Sequence, residues 1–221
     1  MAEFDIVELE GQRRVRMRIT DESVRAEAGA MSHMSGHVEI FTPPPSPGAV
    51  MASLLSDEPM IRPRYHGTGE VLLEASFGGY HVFDVDGEPW VLERGAYWAS
   101  DGRVKLGVHR EPLSASFWAG DGLVNFQTRV SGRGRVVLNA PGPVEEVRLD
   151  NSRIAVEGKL VIARTQGLAY TVKRPTRSLL GYYLSRESMV RIFSGTGRVL
   201  ICVTPFWSER LFKAVETRPG W

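Results

Sequence analysis

Cysteine is almost absent: Cys202 is the only one in 221 residues, so no intrachain disulfide can form. It lies in an apolar run, whereas a reactive thiolate needs an electropositive, partly exposed setting, so a buried thiol is expected. Long hydrophobic runs are missing too, and none approaches the roughly 18 residues that span a membrane. The opening MAEFDIVELEG lacks the basic segment and apolar core of a secretory signal. These absences make the cytoplasm the expected compartment. Net charge is nearly nil: 27 basic and 26 acidic residues leave +1, so no global field draws the chain to nucleic acid or anionic lipid. Any such binding requires a local patch. Helical periodicity is scarce and confined to short stretches at 49–55, 177–184 and 207–215, while PPPSPG at 43–48 reads as a stiff extended connector.

What the chain does contain is self-similarity. HGTGEVLLE (66–74), SGRGRVVLN (131–139) and SGTGRVLIC (194–202) each place Gly-x-Gly before an apolar run. The first glycines, Gly67, Gly132 and Gly195, are 65 and 63 residues apart. Asp21, Asp86 and Asp150 share the period, as do Gly29, Gly95 and Gly158. Three markers with one period imply a triplicated unit. Two units are continuous, and the third is split between the termini, which predicts three β-sheet units closing around a pseudo-threefold axis. Residues 1–205 form this single β domain, and 206–221 form a tail with a short helix.

The units read as strands. RVRMRI alternates Arg14, Arg16 and Arg18 with Val15, Met17 and Ile19, the pattern of a half-buried strand. EVLLEA, RVVLNA and RVLICV fit strands buried on both faces. Asp86-Gly87 is a hairpin-turn signal, with Asp150-Asn151 and Asp21-Glu22 at the equivalent corners. The Gly-x-Gly pairs then mark tight turns or bulges beside central strands.

VRAEAGAMSHMSGHVEI, GGYHVFDVDGEPWVLERGAYWASDGRVKLGV and FWAGDGLVNFQTRVSGRGRVVL together resemble the altered-inheritance-of-mitochondria family. The likeness runs through IAVEGKLVIA and FSGTGRVLI and covers roughly residues 3–205. It rests on the Glu-x-Gly-Ala-Met segment from Glu27 to Met31, the Gly-x-Gly strands, and a Gly-Glu-Gly-like turn. That turn is kept as Gly120-Asp121-Gly122 but reads Arg186-Glu187-Ser188 in the third unit, and a proline-rich loop replaces a glycine-rich one after residue 42. The resemblance implies an all-β fold of repeated units like the tryptophan RNA-binding attenuation protein, of β-sandwich or double-stranded β-helix type with few short helices. It also implies homo-oligomers; the fungal relatives are tied to mitochondrial inner-membrane organisation. It carries a fold rather than an activity.

Candidate chemistry is sparse. A dinucleotide fingerprint needs a third glycine and a following helix, but Leu72, Val137 and Leu200 stand there and strands follow. DVDGE at 84–88 starts like a calcium loop, but its glycine comes too early. His33 and His37 would lie about 13 Å apart in a strand, too far for one metal unless Ser35-Gly36 turns tightly. His66, His81 and His109 are scattered. No catalytic, cofactor or metal residues are therefore assigned, and a non-enzymatic, self-associating scaffold or binding protein is the leading expectation, with a trimer favoured. The alternative is RNA or single-stranded DNA binding. Arg14, Arg16 and Arg18 on one strand face, and Arg129, Arg133 and Arg135 around the central Gly-x-Gly, would hold phosphates beside Trp98 and Trp118. Far-ultraviolet circular dichroism is expected to show helix well below the roughly one-third of an average globular domain, and a higher value refutes the all-β reading.

Overall fold

Alternation in RVRMRI produces the strand it predicts: Val15, Met17 and Ile19 are buried while Arg14, Arg16 and Arg18 stay partly exposed. The computed structural model describes residues 2–42, 62–76, 78–110, 126–157, 160–173 and 190–204. The helical stretches at 49–55, 177–184 and 207–215, the tail 206–221, the proline-rich connector, the Gly120-Asp121-Gly122 and Arg186-Glu187-Ser188 turns, Gly158 and Trp118 lie outside these residues. Within them the chain is all-β, with no helix long and apolar enough to cross a membrane.

One antiparallel sheet contains β1 (Glu3–Leu9), β2 (Gln12–Ala26), β3 (Met31–Phe41), β4 (Arg64–Ser76), β5 (Tyr80–Asp86), β7 (Tyr97–Asp101) and β10 (Arg133–Asn139). Its order is β3-β4-β2-β7-β10-β5, with β1 added to β2. The second holds β6 (Trp90–Leu92), β8 (Lys105–Arg110), β9 (Phe126–Ser131), β11 (Val144–Glu157), β12 (Val161–Thr165), β13 (Ala169–Lys173) and β14 (Val190–Cys202). Its order is β11-β14-β12-β6-β9-β8, with β13 added to β14. The strands thus gather into two seven-stranded sheets rather than one sheet per sequence unit. The physical reason lies in the middle of the chain, whose short strands divide: β7 joins β2 and β10, while β6 joins β12 and β9.

A shared core fills the space between the sheets. Phe83, Val85, Tyr97, Val136 and Leu138 of the first meet Trp90, Leu92, Val130, Ile162, Leu200 and Cys202 of the second. Phe83 meets Trp90 edge-on at 4.9 Å, and the Arg198 guanidinium lies 4.7 Å over the other ring system's indole. Separate clusters lie within each sheet, around Met17, Val71 and Leu73 in one and Leu149, Phe193 and Val199 in the other. Cys202 is buried, as its apolar run suggested. Val136, Val137 and Leu138 of β10 and Val199, Leu200 and Ile201 of β14 are buried on both faces, but Leu72 of β4 is only partly covered.

The Gly-x-Gly pairs differ in how closely neighbours approach: backbone crowds Gly67 and Gly69, side chains crowd Gly134 and Gly197, and Gly195 has room for a Cβ. A Cβ at Gly67 would come within 2.1 Å of the His37 carbonyl oxygen, and Gly67 holds φ +128°. At Gly134, with φ +146°, a Cβ would meet the Asp101 side chain at 2.8 Å; there the Arg135 N–H donates to Asp101 Oδ2 at 2.7 Å. The opposing corners correct one alignment. Positive φ falls on Asp21 in the first corner but on Gly87 and Asn151 in the others, one residue after the matching aspartates. The left-handed conformation, rather than the carboxylate, marks equivalent positions. Asp21 and Asn151 each donate a backbone N–H to a threonine between paired glycines, Thr68 and Thr196, both at 3.1 Å.

Two glycine variants separate crowding from conformation. Gly87 has φ +83° and open space around its missing Cβ, so Gly87→Ala is expected to cost only about 1–2 kcal/mol in urea unfolding. Gly67→Ala forces a backbone collision as well and is expected to cost more than about 3 kcal/mol. Equal losses refute the close-approach explanation.

Candidate functional site

A group of buried polar side chains lies where the two sheets meet. Arg62 stands two residues ahead of β4, and its side chain is only 6% exposed. Its Nε donates to Glu27 Oε2 at 2.9 Å, and its Nη2 donates to Thr128 Oγ1 in β9 at 3.0 Å. The guanidinium also lies 4.4 Å over the Tyr97 ring. One cation therefore joins the end of β2, strand β7 and a strand of the opposite sheet. Beside Thr128, Gln127 Nε2 donates to Glu93 Oε1 at 2.9 Å, and Arg191 of β14 forms an ion pair with the same oxygen.

The local chain explains why both glutamates occupy such places. Ala30 N–H donates to the Glu27 carbonyl at 3.2 Å, and Ala96 N–H donates to that of Glu93 at 3.1 Å, closing a tight turn around Gly29 and Gly95. The written signal was Glu-x-Gly-Ala, occurring as EAGA at 27–30 and ERGA at 93–96. Sequence reasoning noted the first copy as a family feature and the glycines as markers, but missed the carboxylates' role. Arg62, Gln127, Thr128 and Arg191 carry no local signal, because their partners lie at least 34 residues away.

Burial sets the electrostatics here. It pushes the Tyr97 phenol up to about 12, although the hydroxyl hydrogen-bonds Ser100 Oγ at 2.9 Å. Burial, and then the neighbouring Arg64, draws the Arg25 guanidinium below its ordinary value. Arg25 donates to the carbonyls of Val104 at 2.9 Å and Gly102 at 3.4 Å, tying β2 to the turn after β7. Next to that turn, an open cleft of about 500 Å³ is lined by Glu22, Ser23, Asp101, Gly102 and Arg103. Its buried carboxylate is the Asp101 that receives the Arg135 N–H.

The six arginines marked for nucleic-acid contact are spread over three strands and both sheets. Arg14, Arg16 and Arg18 lie on β2, Arg133 and Arg135 on β10 beyond β7, and Arg129 on β9 in the other sheet. Most already face acidic partners. Arg16 pairs with Asp5 at 3.3 Å, and Arg18 meets Glu70 at 3.0 Å, Asp5 at 3.2 Å and Glu3 at 3.3 Å. Arg133 pairs with Asp86 at 3.2 Å and Arg135 with Asp84 at 3.8 Å, while Arg129 Nε donates to Gln166 Oε1 at 2.6 Å. Trp98 is half-buried and tilted against Tyr80 at 5.6 Å. His33 and His37 stand exposed on β3, which continues through Ser35-Gly36 without the tight turn that would bring them together. Among the described residues, no three of His, Cys, Asp and Glu are grouped to hold a metal ion.

Residues 7–203 match the family described as mitochondrial biogenesis AIM24. No curated protein sequence matches the chain. Among solved structures, the chain is similar to a Streptococcus pyogenes protein determined by X-ray crystallography, at 20% identity and a TM-score of 0.72. The alignment covers 98% of this chain and 99% of that one, a likeness of fold.

The buried pair between the sheets gives a stability prediction. Removing one partner strands the other charge, so Arg62→Ala and Glu27→Ala are each expected to cost about 3–5 kcal/mol in denaturant unfolding. An apolar double replacement, Arg62→Met with Glu27→Met, is expected to recover most of that loss. Strictly additive losses refute a coupled pair.

Proposed function

The chain belongs to the mitochondrial biogenesis AIM24 family, and from that premise we propose that it acts as a non-enzymatic, self-associating scaffold or binding protein of the cytoplasm. One observation carries this reading: the sheets end in long margins. β3 has 11 residues and β11 has 14, and each pairs with a single neighbour among the described residues. Such margins present main-chain donors and acceptors in rows, which soluble proteins cover, charge or pair. Closed association of identical chains is the common solution.

The polar groups support the same reading. The buried cluster at the junction is engaged in its own ion pairs and hydrogen bonds, a role in holding the sheets together. The alternative, RNA or single-stranded DNA binding, is weaker because four of the six arginines that would serve it, Arg16, Arg18, Arg133 and Arg135, face Asp5, Glu70, Asp86 and Asp84. Contact with phosphates would have to displace those carboxylates.

Three equivalent building blocks about a pseudo-threefold axis belong to the same proposal. The recurring corner supports it: Ala30 to Glu27, Ala96 to Glu93 and Leu160 to Glu157 are the same N–H to carbonyl contact, at 3.2, 3.1 and 3.0 Å. An internal axis does not dictate the number of chains in an assembly, so the trimer favoured from sequence rests on measurement.

Light scattering on the pure protein across a hundredfold dilution is expected to give a mass above that of one chain, falling as the protein is diluted. A strict monomer overturns the reading. Salt-sensitive retention on mixed oligonucleotides, lost in Arg14→Ala/Arg16→Ala/Arg18→Ala, favours the alternative; turnover in a blind substrate screen refutes the non-enzymatic assignment.

A further inference from the structure

Three of the seven large apolar side chains exposed among the described residues belong to one strand. They are Met34 at 40%, Ile40 at 45% and Phe41 at 59%, all on β3. Among the described residues this strand forms one margin of its sheet, and its register with β4 is unbroken from His33 to Phe41. Its only formally charged residue is Glu39, accompanied by His33 and His37. The margin of the other sheet is different. β11 carries Glu145, Glu146, Arg148, Asp150, Arg153 and Glu157, the kind of charge that keeps a foreign strand away. Of the two long margins, only β3 is both apolar and weakly charged.

We propose that β3 is where two copies of this chain join, antiparallel and edge to edge, across a two-fold axis at Gly36. The inference rests on the self-association reading above and names its surface. A second copy is the fitting occupant because the strand complements itself. Pairing centred on Gly36 sets His33 against Glu39 of the second copy, Met34 against Val38, and Ser35 against His37, each twice by symmetry. One side of the ribbon then carries an imidazole beside a carboxylate and a hydroxyl beside an imidazole. The other joins apolar side chains next to the core, since Val38 already packs against it. Cross-strand pairs of these kinds stabilise a sheet, whereas like charges directly opposed weaken it. A centre at Ser35 would place His33 against His37, and a centre at His37 would oppose the two His37 rings. The shift at Ser32 ends the regular stretch, so the pairing spans residues 33–39.

This arrangement is isologous and closes on itself, covering the margin without leaving a growing end. It joins chains two by two, so it replaces the trimer expected from sequence with a dimer. His33, Met34 and Glu39 are exposed on β3, so their replacement tests association separately from folding.

Sedimentation velocity of the full chain across a hundredfold dilution, with circular dichroism and thermal unfolding confirming native structure, provides the test. Wild type is expected to dimerise. His33→Glu, Glu39→Lys and Met34→Lys are each expected to weaken the dimer roughly tenfold. The charge exchange His33→Glu/Glu39→Lys is expected to restore affinity to within about threefold of wild type. If wild type associates and the single variants do so equally well, another surface is responsible; this inference fails while self-association stands. Weakening by the single variants without rescue overturns the Gly36-centred register. A wild type that stays monomeric throughout overturns both readings.

Discussion

One buried guanidinium, that of Arg62, ties the two halves of this fold together. Its donors point in directions that no single strand can serve, toward Glu27 after β2 and Thr128 in the opposite sheet. A buried cation is tolerated only where its charge and its N–H groups are met. The positions of β2, β4, β7 and β9 are therefore constrained together, and a shift of either sheet would strand a charge in the core. Arg191 with Glu93 and Gln127 imposes a similar constraint from the side of β14. Apolar packing around Trp90 and Phe83 supplies area, but these polar contacts supply direction.

That constraint also bears on function. Several of the polar groups are engaged with partners inside the chain. Asp101 receives a backbone N–H, Arg25 donates to two carbonyls, and Arg16 and Arg18 face carboxylates from β1 and β4. The two long margins then become the informative surfaces, and they differ in kind. β11 is studded with charge, whereas β3 exposes methionine, isoleucine and phenylalanine beside two imidazoles and one carboxylate. The contrast in charge, more than the exposure itself, singles out β3.

Much of the local structure was legible in residue order. The alternation at 14–19 buried the residues it should, and Gly67, Gly69, Gly134 and Gly197 of the Gly-x-Gly pairs stand where a Cβ has no room. Corner chemistry was legible with a one-residue error: matching aspartates by identity aligned Asp21 with Asp86 and Asp150, while backbone conformation aligns it with Gly87 and Asn151. Asparagine, aspartate and glycine all tolerate the left-handed region, so a corner can change residue type without changing shape.

By itself the sequence determined an all-β chain, its strand segments, its backbone corners and a buried lone cysteine, because period, glycine placement and turn chemistry act over a few residues. Only the tertiary structure decided that the strands divide into two sheets, with β6 and β7 parting company although four residues separate them. It alone brought Arg62 to Thr128, set acidic neighbours against the arginine stripe, and left β3 at a margin. Those outcomes depend on which distant strands share main-chain hydrogen bonds and which charges must be met in the core. Neither is a property of any one segment.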